Sequence, residues 1–245
     1  MTHIYTRLVD QQPYRAMAIG AHPDDIEFQC GATLAHGSSL GWDITMVVCT
    51  DGSKGTWDPQ ADIAQLVARR ASEQQAAAAV LGANRVEFLD AVDGELENSA
   101  ELRAALVTLI RTLRPHLVLA HDPWKMYRLH PDHRAAGWLS IDAVVAARDP
   151  HFFAELGLSP HRPDRLLLFE AESPNVAEPV TAHDVDCKVS ALMAHESQLE
   201  TTHFYRSDAE AKVVAFARQH YDSCVAVGRR YGADLAEEFR EMTGL

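Results

Sequence analysis

Apolar and polar positions alternate in blocks along this chain, with short β-branched runs giving way to longer stretches of helical spacing. Met17-Ala18-Ile19-Gly20-Ala21 is a short apolar run ending in a His-Pro loop, and it predicts a first strand. Ile26 to Leu40 follows as a helix whose small residues Gly31, Ala32 and Ala35 permit close packing on a sheet. Asp43 to Thr50, DITMVVCT, predicts strand two, and the polar loop DGSKGTWDPQ leads to an Ala-rich helix from about Asp62 to Leu81. Arg85 to Leu89 predicts strand three. Ala100 to Arg114 is amphipathic, and Pro115 stops it. His116 to His121 predicts strand four, Pro131 to Ala147 a helix, and Arg165 to Ala171 strand five. The remainder reads as mainly helical, over Asp186 to Leu199, Asp208 to Val227 and Ala233 to Met242.

Strands alternating with helices imply an α/β fold, a Rossmann-like and mostly parallel sheet with helices on both faces and additional C-terminal helices. Residues 1–245 are expected to form one domain, with the sheet core over about 15–171 and a C-terminal helical part over about 180–245. The Pro-containing stretch Glu172 to Pro179 separates the two parts. The chain is 47% hydrophobic, enough for a sizeable core. Its 22 basic and 35 acidic residues give a net charge of −13, so it lacks the basic footprint of a nucleic-acid binder. Cys30, Cys49, Cys187 and Cys224 are scattered and form no C-x-x-C pair, which reads as reduced thiols of a cytoplasmic protein. The first residues, MTHIYTRLVDQQPYRA, carry no signal-peptide core, and no apolar run approaches the roughly 18 residues of a membrane span.

Two segments carry candidate chemistry: Ala21-His22-Pro23-Asp24-Asp25 after strand one, and His130-Pro131-Asp132-His133 after strand four. In a doubly wound sheet of order 3-2-1-4-5, strands one and four are neighbours and the order reverses between them. Ligands bind in the crevice at the carboxyl ends of such strands. The topology therefore gathers His22, Asp24, Asp25, His130 and His133 around one crevice. Two imidazoles and a carboxylate with an open fourth position make a catalytic zinc site. The residues alone do not say which aspartate ligates. Pro131 holds His130 extended and favours a helix start at itself, so His133 falls in the first helical turn. Each aspartate also has a structural explanation, at the N-terminus of a helix. His36, His116, His151, His161, His183 and His220 receive little functional weight, and Cys30 is expected in the core. There is no G-x-G-x-x-G or G-x-S-x-G, and Gly52-Ser53-Lys54-Gly55-Thr56 lacks P-loop spacing and reads as a rim loop.

At these residues the sequence resembles the LmbE / PIG-L-like N-acetylglucosaminyl deacetylases, relatives of the mycothiol and bacillithiol biosynthesis deacetylases. Ala21 to Asp25 matches the family's A-H-P-D-D and His130 to His133 its H-P-D-H. Weaker matches are Thr50-Asp51-Gly52, Arg70 with Glu73, Asp93-Gly94 and the segment KVSALMAHESQ from Lys188 to Gln198. The resemblance implies a zinc ion, or Fe2+ or another divalent ion, held by His22, Asp25 and His133. It implies Asp24 as general base, His130 as oxyanion stabiliser, and Arg70 and Asp93 as sugar contacts, with Asp132 supporting the ligands from behind. The sequence departs from the pattern at Ile26, where Glu is frequent, at Ser53, where an acidic residue is common, and at Arg128, where some members have Tyr. The implied activity is hydrolysis of an acetyl group from a small N-acetylated amino sugar or related conjugate, with homo-oligomerisation left open. Its rivals are an amidase of the same family cutting a larger amide, a non-haem iron oxygenase built on the same triad, and a binding module without chemistry.

Overall fold

The computed structural model describes residues 13–203 and 209–245. Its strands are β1 (Arg15–Gly20), β2 (Asp43–Thr50), β3 (Arg85–Ala91), β4 (Leu117–His121), β5 (Arg165–Phe169), β6 (Val176–Pro179) and β7 (Ala236–Met242). The helices are α1 (Asp25–Ser39), α2 (Ile63–Leu81), α3 (Ala100–Leu113), α4 (Pro131–Arg148), α5 (Ala182–Met193) and α6 (Ala209–Tyr231). The sheet order is β3-β2-β1-β4-β5-β7-β6. The first five strands run parallel in the order expected from the alternation, with Ala16–Ile19 of β1 paired to Leu117–Ala120 of β4.

Side chains of successive strand residues point to opposite faces, and the core divides accordingly. Ala16 and Ala18 of β1 join Leu117 and Leu119 of β4 under α1 and α2. Met17 and Ile19 join Val118 and Ala120 under α3 and α4. Both faces are covered, which is why these strands are apolar throughout rather than alternating. Local chemistry marks the ends of the helices: Asp62 accepts the Gln65 N–H, Ser99 accepts the Leu102 N–H, and Thr181 forms a capping box with Asp184.

The C-terminal part differs from expectation. Ala233–Met242 was expected to be helical, but Ala236–Met242 is strand β7, antiparallel to both β5 and β6. β6 itself lies within the stretch expected only to separate sheet from helices. Tertiary pairing overrides the helix propensity of a Glu-rich segment here: the free edge of β5 takes its backbone groups, and Phe239 is fully buried. The helix expected from Asp186 begins earlier, at Ala182 behind its capping box, and ends at Met193. The expected start at Asp208 lies outside the described residues. All four cysteines are free thiols, and Cys30 is buried in the core as expected. Among the described residues no helix is long and apolar enough to cross a membrane.

β7 also holds α1 in shape. The helix kinks at Cys30 (φ −143°, ψ 20°), which frees backbone donors of the next turn. The Glu237 carboxylate accepts the N–H of Ala32 at 3.3 Å and of Thr33 at 2.7 Å, and it pairs with Lys188 Nζ at 2.6 Å. All of these groups are buried. Gly31 leaves the gap through which the Lys188 stem passes, since a Cβ there would lie 3.1 Å from its Cγ. Removing one partner of a buried pair strands the other charge, at a cost of about 3–5 kcal/mol. Glu237→Ala is therefore expected to destabilise the fold by about that amount in urea unfolding, and Glu237→Gln by less. A loss for Glu237→Ala of under about 1 kcal/mol would contradict this role.

Candidate metal centre and catalytic site

The loop after β1 enters α1 through a backbone that few residues adopt. Asp24 stands at φ 99°, ψ −26° and its side chain makes no cap bond to the helix. The Asp24 carboxylate is thus not spent on the helix end. Asp25 turns back instead, accepting the His22 N–H at 2.8 Å. On the other side of the switch point, His130 is the N-cap of α4, and its Nδ1 accepts the Asp132 N–H at 3.3 Å. That bond leaves the proton of neutral His130 on Nε2.

The two segments meet as the topology required. His22, Asp24, Asp25, Arg70, Asp93, His130 and His133 line one cavity of about 480 Å³, joined by Lys54 and Gln198. Asp132 is fully buried behind them. The centre of the arrangement is the Asp25 carboxylate. Its Oδ2 lies 3.2 Å from His22 Nδ1 and its Oδ1 lies 3.2 Å from His133 Nε2. The far nitrogen of His22, Nε2, meets Asp132 Oδ2 at 3.1 Å and Asp93 Oδ1 at 3.2 Å. Asp132 is fixed in turn by the N–H groups of Gly94 at 2.6 Å and Leu96 at 3.3 Å.

Burial and charge explain how these groups titrate. Burial alone would lower the pKa of His22, but hydrogen bonds to Asp132, Asp25 and Asp93 outweigh it and push it up to about 12. Burial disfavours the charged form of Asp25, yet the neighbouring His133 and His121 hold it well below the usual carboxylate range. His130 is lowered by burial and by the facing His22 and His133.

This donor set fits a divalent cation. Among the described residues, three groups have ligand atoms within 4.8 Å of one another: His22 with His130 and His133, Asp25 with His121 and His133, and His22 with Asp93 and Asp132. The carboxylates of Asp25, Asp93 and Asp132 gathered around His22 favour a cation at this place. A histidine with one nitrogen facing the cluster and the other on a carboxylate is the arrangement that fixes tautomer and ring direction at metal sites.

The GlcNAc-PI de-N-acetylase (PIG-L) family model matches residues 17–144, a span that runs from within β1 to within α4 and includes His22, Asp24, Asp25, Arg70, Asp93, His130, Asp132 and His133. The chain belongs to the PIG-L family. It is 38% identical over 188 residues to a diacetylchitobiose deacetylase of Thermococcus kodakarensis, covering 75% of this chain and 70% of that protein. It is 32% identical over 250 residues to a 1D-myo-inositol 2-acetamido-2-deoxy-alpha-D-glucopyranoside deacetylase of Mycolicibacterium vanbaalenii, covering 82% and 86%. Among solved structures, the N,N'-diacetylchitobiose deacetylase of Pyrococcus horikoshii, complexed with an inhibitor, superposes with a TM-score of 0.83 at 28% identity, covering 98% of this chain and 90% of the other.

Within this PIG-L member several site residues escaped the sequence reading. His121, the last residue of β4, is fully buried with Nε2 at 3.3 Å from Asp25 Oδ2, and it stacks on His133. Its place at the carboxyl end of a switch-point strand was the available signal. Arg128 donates to Glu170 Oε2 at 2.6 Å and sits 3.2–3.3 Å from Nδ1 of both His121 and His133. Despite burial, His121 and Arg128 hold the pKa of Glu170 down at about 2. Arg70 spends two donors on backbone carbonyls, Gly52 O at 2.9 Å and Pro23 O at 2.7 Å, so it ties the loops after β1 and β2 together. The rim loop has no room to spare beside it: a Cβ on Gly52 (φ +65°) would lie 2.7 Å from Arg70 Nη1.

Gly52→Ala is expected to lower stability by more than the roughly 1 kcal/mol of a positive-φ alanine. Gly157 is the control, since it shares the conformation (φ +66°) with nothing within 4 Å. Thermal unfolding of the two variants isolates the Arg70 contact; equal losses would show that Arg70 yields freely.

Proposed function

We propose that this chain is a metal-dependent N-deacetylase that releases acetate from an N-acetylated amino sugar or a related conjugate. The observation that carries the reading is the Asp24-Asp25 pair, in which Asp25 meets the imidazoles of His22, His121 and His133 while Asp24 lines the same cavity and makes no side-chain cap bond to the helix. The named substrates of the Thermococcus and Mycolicibacterium relatives are both acetamido sugars or their conjugates, and they support that substrate class here. In this reading His22, Asp25 and His133 hold zinc, Fe2+ or another divalent ion. When bound, the ion supplies Lewis acidity toward water and the amide carbonyl.

The side chains do the rest. Asp24 accepts the proton of the attacking water. Its carboxylate is kept near cationic charge by Arg70 Nη2 at 3.8 Å. His130 offers Nε2–H to the negative charge that develops on the acetyl oxygen. Because its Nδ1 is already an acceptor, it can do this as a neutral ring. Asp24, once protonated, returns that proton to the leaving amine, so the step ends with acetate, a free amine and Asp24 ionised again. Arg70 and Asp93 line the cavity and are the candidate sugar contacts. A cavity of about 480 Å³ is of the size that small-molecule sites occupy.

Metal content and three variants test this. Purified protein is expected to carry close to one divalent ion per chain, to lose acetate release on chelation, and to lose metal affinity in His133→Ala; elemental analysis with no metal and activity indifferent to chelator would overturn the reading. Asp24→Asn is expected to keep the ion and lose about 10²–10⁴ in kcat. His130→Ala is expected to keep the ion, lose about 10²–10³ in kcat and change KM modestly. Steady-state kinetics and metal content on the same preparations decide: a His130→Ala protein that is metal-free would make His130 a ligand.

A further inference from the structure

The Pro23–Asp24 peptide is gripped at both of its polar atoms by one helix. Arg70 Nη2 donates to the Pro23 carbonyl at 2.7 Å, and Gln74 Oε1 accepts the Asp24 N–H at 3.1 Å. Residues 70 and 74 stand one turn apart on α2 and so present their side chains on the same face. Asp24 needs such a hold, because a non-glycine residue at φ 99° is strained and persists only where its surroundings impose it.

Gln74 is itself locked. Its Nε2 donates to Glu27 Oε1 at 2.5 Å, and the same oxygen lies 3.5 Å from His195 Nε2. Gln74, Glu27 and His195 are each fully buried, and none of them lines the cavity. The carboxylate of Glu27 demands a donor and the Asp24 N–H demands an acceptor, so only one orientation of the Gln74 amide satisfies both. We infer that the buried chain His195–Glu27–Gln74 fixes the backbone of Asp24 and thereby aims its carboxylate, which makes Gln74 a positioning residue for the general base. The catalytic part of this inference rests on the deacetylase reading above; the structural part does not.

The test combines amide hydrogen exchange at Asp24, bound zinc, and acetate release from N,N'-diacetylchitobiose and a panel of N-acetylated sugars. Gln74→Leu is expected to accelerate exchange at Asp24 by about tenfold, the scale of one lost hydrogen bond, while the amides of β1 and β4 keep wild-type protection and so report an intact fold. It should lower kcat by about 10²-fold, as a small misplacement of a reacting group does, with zinc content unchanged and KM within about threefold. Gln74→Glu alone sets two carboxylates against each other. Combined with Glu27→Gln, it reverses the chain while keeping every donor matched to an acceptor, and at least about tenfold of the lost kcat should return, a rescue that a merely space-filling role would not give. Unchanged Asp24 exchange in Gln74→Leu, or raised exchange with undiminished kcat, would overturn the inference. Wild-type protein that releases no acetate from any of these sugars, while Asp24 exchange still depends on Gln74, would instead overturn the deacetylase reading and the catalytic part with it.

Discussion

The Asp25 carboxylate between three imidazoles is the contact on which the site is built. His22, His121 and His133 come from the loop after β1, the last residue of β4 and the first turn of α4, and each approaches one of its two oxygens. A carboxylate this deep is costly unless its charge is matched. The matching groups are themselves held by Asp132, Glu170 and Arg128, which are bound in turn to backbone donors and to one another. Charge is therefore balanced outward in layers from Asp25, and each layer is anchored on a different element of the fold.

The sheet topology makes this possible. Reversal of strand order between β1 and β4 opens a crevice at their carboxyl ends, where a loop can reach across without crossing a neighbouring crossover helix. The two apolar faces on either side of the sheet hold β1 and β4 rigid beneath that crevice. The helices then act as clamps on the loops: α2 grips the loop before Asp24 through Arg70 and Gln74, while α1 is braced from the far side by Glu237 of β7.

Elements with a strong period were legible in the chain. The five parallel strands and their order followed from alternation, and the two His-Pro-Asp segments converge because topology places them at one switch point. The sequence said less where long-range pairing decides. Ala236–Met242 has the composition of a helix and becomes a strand only because β5 and β6 offer edges on either side. Glu237, Lys188 and the kink at Cys30 form one unit spread over some two hundred residues, and nothing local announces it. His121 and Gln74 were missed for a related reason: a lone polar residue at the end of an apolar strand or inside an Ala-rich helix reads as unremarkable until the fold turns it toward Asp25 or Asp24. Arg70 was assigned to the sugar by resemblance, and the structure adds a second task, that of joining two loops through their carbonyls.

The proposed chemistry needs a single divalent ion on His22, Asp25 and His133, with Asp24 and His130 beside it but not bound to it. The direct measurement is a crystal structure of the metal-loaded protein with anomalous data collected across the absorption edge of zinc. One anomalous peak is expected, in bonding contact with His22, Asp25 and His133 only among protein side chains. A peak bonded to His121 or His130 in place of one of these, or to Asp24 instead of Asp25, would contradict it.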